Sequence, residues 1–125
     1  MYQADELPGF VAVEKDKPVG LITYKISGKE CEITTMNSQV EGKGAGSALV
    51  KAVKETALEA GCGRLWLITT NDNTHALHFW QRRGFLIKAI YVNALEKSRK
   101  LKTEIPLKGN DGIPIRDEIE LEMKL

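Results

Sequence analysis

A glycine-rich segment that runs directly into an amphipathic helix constrains this chain more than any other feature. Residues 40–47 read Val-Glu-Gly-Lys-Gly-Ala-Gly-Ser, and apolar side chains then recur at helical spacing as far as position 60. The three glycines permit a tight turn and a close approach of the backbone to a ligand. Amides in the first turn of a helix lack intrahelical acceptors and lie at the positive end of its dipole. The segment therefore predicts an anion-binding loop, to which Lys43 adds a positive charge.

The helix after this segment has an apolar side and a charged side. We expect Gly61 to end it, because glycine readily takes the left-handed conformation that follows many helices. A tight strand-to-helix connection that binds no ligand would have the same composition, so the segment alone leaves both interpretations open. The predicted buried side comprises Leu49, Ala52, Val53, Thr56, Ala57 and Ala60, and the exposed side comprises Lys51, Lys54, Glu55 and Glu59.

Two common phosphate-binding motifs do not fit the glycine segment. A P-loop requires Gly-x-x-x-x-Gly-Lys-Ser/Thr, but Gly42-Lys43 is followed by Gly44. A dinucleotide fingerprint requires Gly-x-Gly-x-x-Gly, and Ser47 occupies the position of its third glycine. The spacing thus excludes the first motif and disfavours the second.

Two motifs together resemble those of the GNAT superfamily of N-acetyltransferases, over residues 10–125. The first, Gln/Arg-x-x-Gly-x-Gly/Ala, is matched by residues 41–46, except that Glu41 replaces the usual neutral or basic residue. The second, Asn-x-x-Ala-x-x-Phe-Tyr-x-x-x-Gly-Phe, has Trp80 in its tyrosine position. The residues that match this second motif are Asn73, Ala76, Phe79, Gly84 and Phe85.

The resemblance implies an α/β fold with a mixed, mostly antiparallel sheet flanked by helices. In that fold a splayed pair of parallel strands forms the notch for acetyl-CoA. The continuous apolar run at 64–70 is typical of a strand buried on both faces, and a helical crossover makes it parallel to the strand before the glycine segment. Asn73 or Thr74 is expected to cap the second helix. Strands are predicted at 10–14, 19–26, 31–36, 64–70, 85–91 and 119–123, a short helix or surface segment at 93–102, and a loop at 109–114.

Length and composition predict a single domain spanning residues 1–125, with residues 1–9 as a flexible arm. A net charge of +1 gives no general attraction to nucleic acid or to an anionic membrane. No segment resembles a signal peptide or a membrane span. Cys31 and Cys62 lack metal-ligand spacing and are expected to be buried, reduced thiols of a cytoplasmic protein.

The nine residues before the first predicted strand are too few for the strand and two helices with which the family normally begins. Those helices usually form part of the acceptor site. We expect either that the natural start lies upstream, or that a partner chain covers the sheet face that they would cover. The second interpretation predicts a homodimer.

If the chain follows the family, acetyl-CoA is its cosubstrate and main-chain contacts dominate its binding. Backbone groups near Thr35, Met36 and Ser38 would pair with the pantetheine arm. The loop at the pyrophosphate would comprise Glu41, Gly42, Lys43, Gly44, Ala45, Gly46 and Ser47, and the other wall of the notch Asn73, Ala76, Phe79 and Trp80.

The implied reaction is attack of a neutral amine on the thioester, which requires a base, a donor to the carbonyl and a proton source for the leaving thiolate. Glu32 is the candidate base, because its spacing from Thr34 and Met36 places all three on one face of a regular strand. A solvated strand glutamate is the alternative interpretation.

The family often takes the proton for the leaving thiolate from a tyrosine at the position of Trp80, and an indole N–H is too weak an acid for this role. Tyr91, Tyr24, bound water and the incoming ammonium remain alternatives. His75 and His78 have no acidic or thiol partner at ligand spacing, so no metal site is predicted. Trp66, Phe79 and Phe85 are expected to be core residues.

Two classes of function follow. The first is an N-acetyltransferase that acts on a primary amine of a small molecule or a protein. The alternative is a non-catalytic acyl-CoA-binding module, or a subunit whose acceptor site is completed by a partner chain. The two motifs favour the enzyme, whereas Trp80 and the short N-terminal segment favour the alternative.

Overall fold

Three antiparallel strands precede the glycine segment, as the sequence predicts. They are β1 (Gly9–Glu14), β2 (Lys17–Ser27) and β3 (Glu30–Ser38) in a computed structural model that describes residues 7–38, 44–95 and 112–125. β2 begins two residues before its predicted start because Lys17 and Pro18 already pair with β1. This pairing leaves a two-residue turn in which both φ angles are positive, as type I′ hairpins require.

The remaining elements are α1 (Ala45–Glu59), β4 (Arg64–Thr70), α2 (Thr74–Arg82), β5 (Leu86–Tyr91) and β6 (Glu118–Lys124). The strand order is β1-β2-β3-β4-β6-β5. β3 and β4 are parallel, whereas the pairs β1–β2, β2–β3 and β5–β6 are antiparallel. The predicted mixed, mostly antiparallel α/β fold is therefore confirmed.

The chain divides into two compact units. The first comprises Met1–Trp66 with Lys124–Leu125, and the second comprises Leu67–Met123. That all 125 residues form one domain stays a prediction. Residues 1–6 of the predicted arm, residues 96–102 and residues 109–111 lie outside the described residues, while Ala94 and Leu95 are helical.

In the first unit, α1 packs on the strands that precede it. Leu49, Val53 and Ala57 are buried as predicted, and Gly61 follows the helix with φ 83°. Ala60 is exposed, which corrects its predicted burial, because the helix already ends at Glu59 and the chain turns away there. A Cβ added at Gly20 would lie 3.0 Å from Leu49 Cδ1, so the missing side chain permits the close approach of α1 to β2.

A β-bulge interrupts β3 at Thr34. Thr35 pairs with Thr23, but the next residue of β2, Tyr24, pairs with Ile33, which leaves Thr34 as an extra residue. The Thr34 and Thr23 hydroxyl oxygens lie 2.8 Å apart in a hydrogen bond. The bulge therefore reverses the alternation of side chains along β3 at this point.

β4 has one well-buried face. Leu65 and Leu67 are buried, but Ile68 is 39% exposed. The prediction that this strand is buried on both faces is therefore wrong. An apolar run shows that a strand tolerates burial, but whether both faces are covered depends on the elements that pack on it. Neither helix in the described part of the chain has the length and apolarity needed to cross a membrane.

In the second unit, α2 is followed by a glycine in the left-handed conformation. Gly84 has φ 94° and donates its N–H to Gln81 O, while Phe85 N donates to Trp80 O. These two bonds form a Schellman motif. Trp80 and Phe85 are 4% and 1% exposed. Phe79 is only half-buried, as is Trp66 in the first unit, which corrects their predicted place in the core.

Candidate functional site

The first unit contains the N-terminus of α1, the part of the glycine segment that the structure describes. Gly44 is its N-cap residue, in the left-handed conformation with φ 79° and ψ −1°, and no side chain caps the helix. The helix has no acidic residue in its first turn, and its first main-chain bond runs from Ala48 N to Gly44 O over 2.9 Å. The N–H groups of Ala45, Gly46 and Ser47 thus precede the regular helical bonds at the positive end of the dipole.

Gly44 is required for its backbone angles rather than for space. A Cβ added there would meet nothing within 4 Å, but its φ lies where side chains are disfavoured. Glu41, Gly42 and Lys43, which the sequence also assigned to this loop, lie outside the described residues. The described part is consistent with an anion-binding helix end.

The predicted residues of β3 belong to the same unit. Thr35 is exposed, whereas Met36 and Ser38 are half-buried. Their partners on β2 are Thr23, Ile22 and Gly20 respectively.

Glu32, the candidate base, is half-buried and pairs with Lys25 of β2 and Trp66 of β4. The premise that it shares a face with Met36 is wrong. Met36 pairs with Ile22, and the bulge at Thr34 separates that part of β3 from the part that carries Glu32. A shared face remains only for Glu32 and Thr34. The role of Glu32 as the base stays a prediction.

The second unit contains the predicted wall residues. The Asn73 side chain accepts a hydrogen bond from Ala76 N over 3.0 Å and so caps α2, as the sequence predicts. Ala76 and Phe79 are half-buried, and Trp80 is buried. The ring centroids of Phe79 and Trp80 lie 4.9 Å apart with their planes inclined at 85°.

Arg83 extends this aromatic group at the end of α2. Its guanidinium carbon lies 3.5 Å from the centroid of the Phe79 ring, and its Nη1 donates to Phe79 O over 3.0 Å. Burial lowers the pKa of Arg83, and the neighbouring charge of Arg82 lowers it further. Arg83 is not among the residues that match the second motif. Its position four residues after Phe79 was the sequence signal for this contact, because residues four apart are neighbours on a helix and a guanidinium can pack on an aromatic ring.

A polar network that sequence analysis missed fixes the connection between β4 and α2. Asn71 Oδ1 accepts from the backbone N–H groups of Arg116 and Asp117, at 3.0 and 2.9 Å, and Asn71 Nδ2 donates to Pro114 O. Arg116 binds Asp117 through two hydrogen bonds of 2.8 and 2.9 Å, and Asn93 N donates to Asp117 Oδ1. The Arg116 side chain, followed by the Asn93 N–H, holds the pKa of Asp117 below its usual range.

The two tyrosines proposed as proton donors have different surroundings. Tyr91 is exposed, and its hydroxyl donates to Glu120 Oε1 over 2.5 Å, where the Glu120 residue is 8% exposed. Tyr24, in the first unit, stacks on Phe10 with 6.0 Å between ring centroids. The Tyr91 hydroxyl thus has a carboxylate partner.

His75 and His78 are exposed, and the described residues contain no group of three or more His, Cys, Asp or Glu placed to hold a metal ion. Cys31 and Cys62 are free and buried. Burial, followed by the proximity of Cys62, raises the pKa of Cys31 to about 11, so this thiol stays protonated at neutral pH.

Comparisons with known proteins agree with this arrangement. The family model described as the acetyltransferase (GNAT) family matches residues 1–85. The uncharacterized protein YdhI of Bacillus subtilis (strain 168) is 51% identical over 120 residues, which cover 95% of this chain and 75% of that protein.

Two solved structures are also similar. A Bacillus subtilis acetyltransferase in complex with CoA has a TM-score of 0.82 and 25% identity, covering 98% of this chain and 79% of that one. An IAA acetyltransferase from Bacillus cereus ATCC 14579 has a TM-score of 0.77 and 28% identity, and the match covers 92% of this chain and 75% of that one. The fold, the two motifs and the matching family model lead to one conclusion: the chain belongs to the GNAT family of acetyltransferases.

Proposed function

We propose that this protein transfers an acetyl group from acetyl-CoA to a primary amine of a small molecule or a protein. The observation that carries the proposal is the N-terminus of α1. It is capped by Gly44 in the left-handed conformation, has no acidic residue in its first turn and stands at the position of the family's pyrophosphate loop. The similar Bacillus subtilis acetyltransferase was solved with CoA bound, which supports the same cosubstrate here.

The cofactor residues proposed for the first unit act mainly through their backbones. The amides of Gly44, Ala45, Gly46 and Ser47 would hold the pyrophosphate, together with residues 41–43. Backbone groups of Thr35, Met36 and Ser38 would pair with the pantetheine arm. Because these contacts need no particular side chain, they are consistent with Glu41 in place of the usual neutral or basic residue.

From the second unit, Ala76, Phe79 and Trp80 are proposed to line the site, with Asn73 fixing the start of their helix. The side-chain oxygen of Asn73 already accepts the capping hydrogen bond from Ala76 N. We therefore expect Asn73 to contribute by orienting α2. Phe79 is the aromatic member of this set that retains accessible surface, because Trp80 is buried. We therefore expect Phe79 to make the larger direct contact.

For the chemical step, Glu32 is the proposed base that accepts the proton of the acceptor ammonium, directly or through water. Once neutral, the amine attacks the carbonyl carbon of the acetyl thioester and the C–S bond breaks. The attacking nitrogen then loses one proton to water as the amide forms, and the thiolate takes up a proton. Tyr91 is the proposed donor of that proton, because its phenol is exposed and its hydrogen bond to Glu120 fixes its orientation.

Incubation of the protein with acetyl-CoA and a panel of amines, followed by mass spectrometry, tests the proposal. We expect one class of amine to gain the mass of an acetyl group, and we expect Glu32→Gln to lower kcat while CoA binding measured by calorimetry is unchanged. CoA binding without any acetylated product would favour the non-catalytic acyl-CoA-binding module. Absence of CoA binding would contradict both.

We also propose that two copies of the chain associate through the outer surface of β1 and β2. Val11 and Leu21 are register partners and hence share a face, and they are 55% and 38% exposed. The net charge of +1 offers little repulsion between two copies. Light scattering should give twice the chain mass, and Val11→Lys should reduce it to the mass of one chain. A monomeric unmutated protein at micromolar concentration would contradict this.

A cytoplasmic location is proposed from the two cysteines, which are both free and buried. Fractionation of cells that produce the protein tests this, with recovery outside the cytoplasm as the contrary result.

A further inference from the structure

Arg83 follows the last residue of α2 and folds back onto that helix. Its Nη1 donates to Phe79 O over 3.0 Å, and its guanidinium carbon lies 3.5 Å from the centroid of the Phe79 ring. A guanidinium at this distance is attracted by the negative face of an aromatic ring. Arg83 thus holds both the backbone and the side chain of one residue a helical turn earlier.

The end of the helix explains why this carbonyl accepts from a side chain. In a continuing α-helix, Arg83 N would donate to Phe79 O, but here it donates to Trp80 O over 3.0 Å. The guanidinium replaces the lost main-chain donor. Because Gly84 turns the chain with φ 94°, the backbone of Arg83 is fixed on both sides of this contact.

The guanidinium is also partly removed from water, and burial is the main reason that its pKa is lowered. An arginine retains its charge at neutral pH, so a partly desolvated cation lies against the Phe79 ring. Cation–π contacts are stronger when the cation is desolvated. Phe79 is therefore held on one face by Arg83, while the Trp80 ring lies 4.9 Å away at a steep angle.

We propose that Arg83 is a positioning residue for acyl-CoA binding, which fixes the Phe79 ring in the orientation that the cofactor meets. The inference rests on the proposed function, which places Phe79 in the wall of the cofactor site. Arg83 acts through Phe79 and does not itself contact the cofactor. A residue with this role affects cofactor affinity rather than the chemical step, so its loss raises KM for acetyl-CoA and leaves kcat nearly unchanged.

A double-mutant cycle separates this role from direct binding. The dissociation constant of CoA is measured by calorimetry for the unmutated protein, Arg83→Met, Phe79→Leu and the double variant. We expect Arg83→Met to raise the dissociation constant of CoA about threefold to thirtyfold, the factor that corresponds to the free energy of one cation–π contact. Because Arg83 acts through the ring, the double variant should bind CoA as Phe79→Leu does. Arg82→Met, at the exposed neighbouring arginine, is the matched control and should change the constant less than about twofold.

The outcomes are distinguishable. Failure of the unmutated protein to bind CoA contradicts the proposed function itself, whereas normal binding by Arg83→Met contradicts only the role of Arg83. A further loss in the double variant, beyond that of Phe79→Leu, also overturns the proposal, because it would mean that Arg83 contacts the cofactor directly. If thermal unfolding shows that Arg83→Met does not fold, Arg83→Lys replaces it. Lysine keeps the charge but lacks the planar guanidinium, so CoA affinity equal to that of the unmutated protein would likewise overturn the proposal.

Discussion

The indole ring of Trp80 meets the ring of Phe85 edge-on, with 5.1 Å between their centroids and 69° between their planes. Both residues are buried, so this contact belongs to the packing of the second unit. We predict that Trp80→Ala lowers the free energy of unfolding by about 3–5 kcal/mol, the cost of removing a buried aromatic side chain. Trp80→Tyr should lower the free energy of unfolding by less and should retain CoA binding, since a ring still fills most of the space.

Urea denaturation of both variants checks this prediction. Trp66→Ala is the control, because Trp66 is half-buried with a guanidinium 5.1 Å from its ring. A loss of CoA binding in Trp80→Tyr as complete as in Trp80→Ala would show that the indole itself is required.

Gly44→Val is expected to abolish most of the rise in melting temperature that CoA produces, because a β-branched residue resists the φ of 79° at the cap of α1. Gly28→Val is a matched control, since Gly28 has φ 61° in the β2–β3 turn and both positions have no atom within 4 Å of an added Cβ. Both variants should lose about 1–2 kcal/mol of stability from the left-handed backbone. Only the Gly44 variant should lose the response to CoA; an equal loss in both would contradict a role for the helix end.

Gly20→Ala should destabilise the first unit by about 1–3 kcal/mol, because the added Cβ would lie 3.0 Å from Leu49 Cδ1 and 3.2 Å from Asn37 O. Thermal unfolding measures this loss. The control is Gly63→Ala, where an added Cβ meets nothing within 4 Å and the backbone has no positive φ. Similar melting temperatures for the two variants would mean that α1 can shift away from β2 at little cost.

Asp117 should contribute to stability in a pH-dependent way. Arg116 and the Asn93 N–H depress its pKa in the folded state. A depressed carboxyl pKa gives stability that is present above the unfolded-state pKa of about 4 and is lost as pH falls through the lower folded-state value. Asp117→Asn should therefore be less stable at pH 7, and its free energy of unfolding should fall less than that of the unmutated protein as the pH is lowered below about 4.

Denaturation midpoints across this pH range test the expectation for Asp117. Asp16→Asn, at an exposed position in the β1–β2 turn, is the comparison. Identical pH dependence in Asp117→Asn and the unmutated protein would show that the network around Asn71 does not depend on the charge.

Most of the fold was predictable because its determinants are local. Gly61 has a positive φ at the helix end where the sequence places it, and Asn73 caps α2. These positions act through backbone preferences that a few residues define. The two motifs likewise predicted the family that the comparisons confirm.

The unpredicted features depend on residues distant in sequence. Asn71 binds Asp117 across 46 positions, and nothing near Asn71 marks a partner so far along the chain. The bulge at Thr34 carries no glycine or proline signal, so the spacing of Glu32 and Met36 predicts one shared face where the structure has two. The spacing of Ala60 predicts burial only if the helix continues, and the helix ends one residue before it.

The bulge at Thr34 also means that β3 has two phases of side-chain alternation joined at one residue. Substitutions at Thr34 change a side chain, but a deletion there would join the two phases into one. Ile33 and Thr35 would then be adjacent and could keep their partners Tyr24 and Thr23, so Ile33 and Met36 would stay on the faces that they have now. Residue 34 is therefore a position at which β3 can lose a residue without changing the faces of its other side chains.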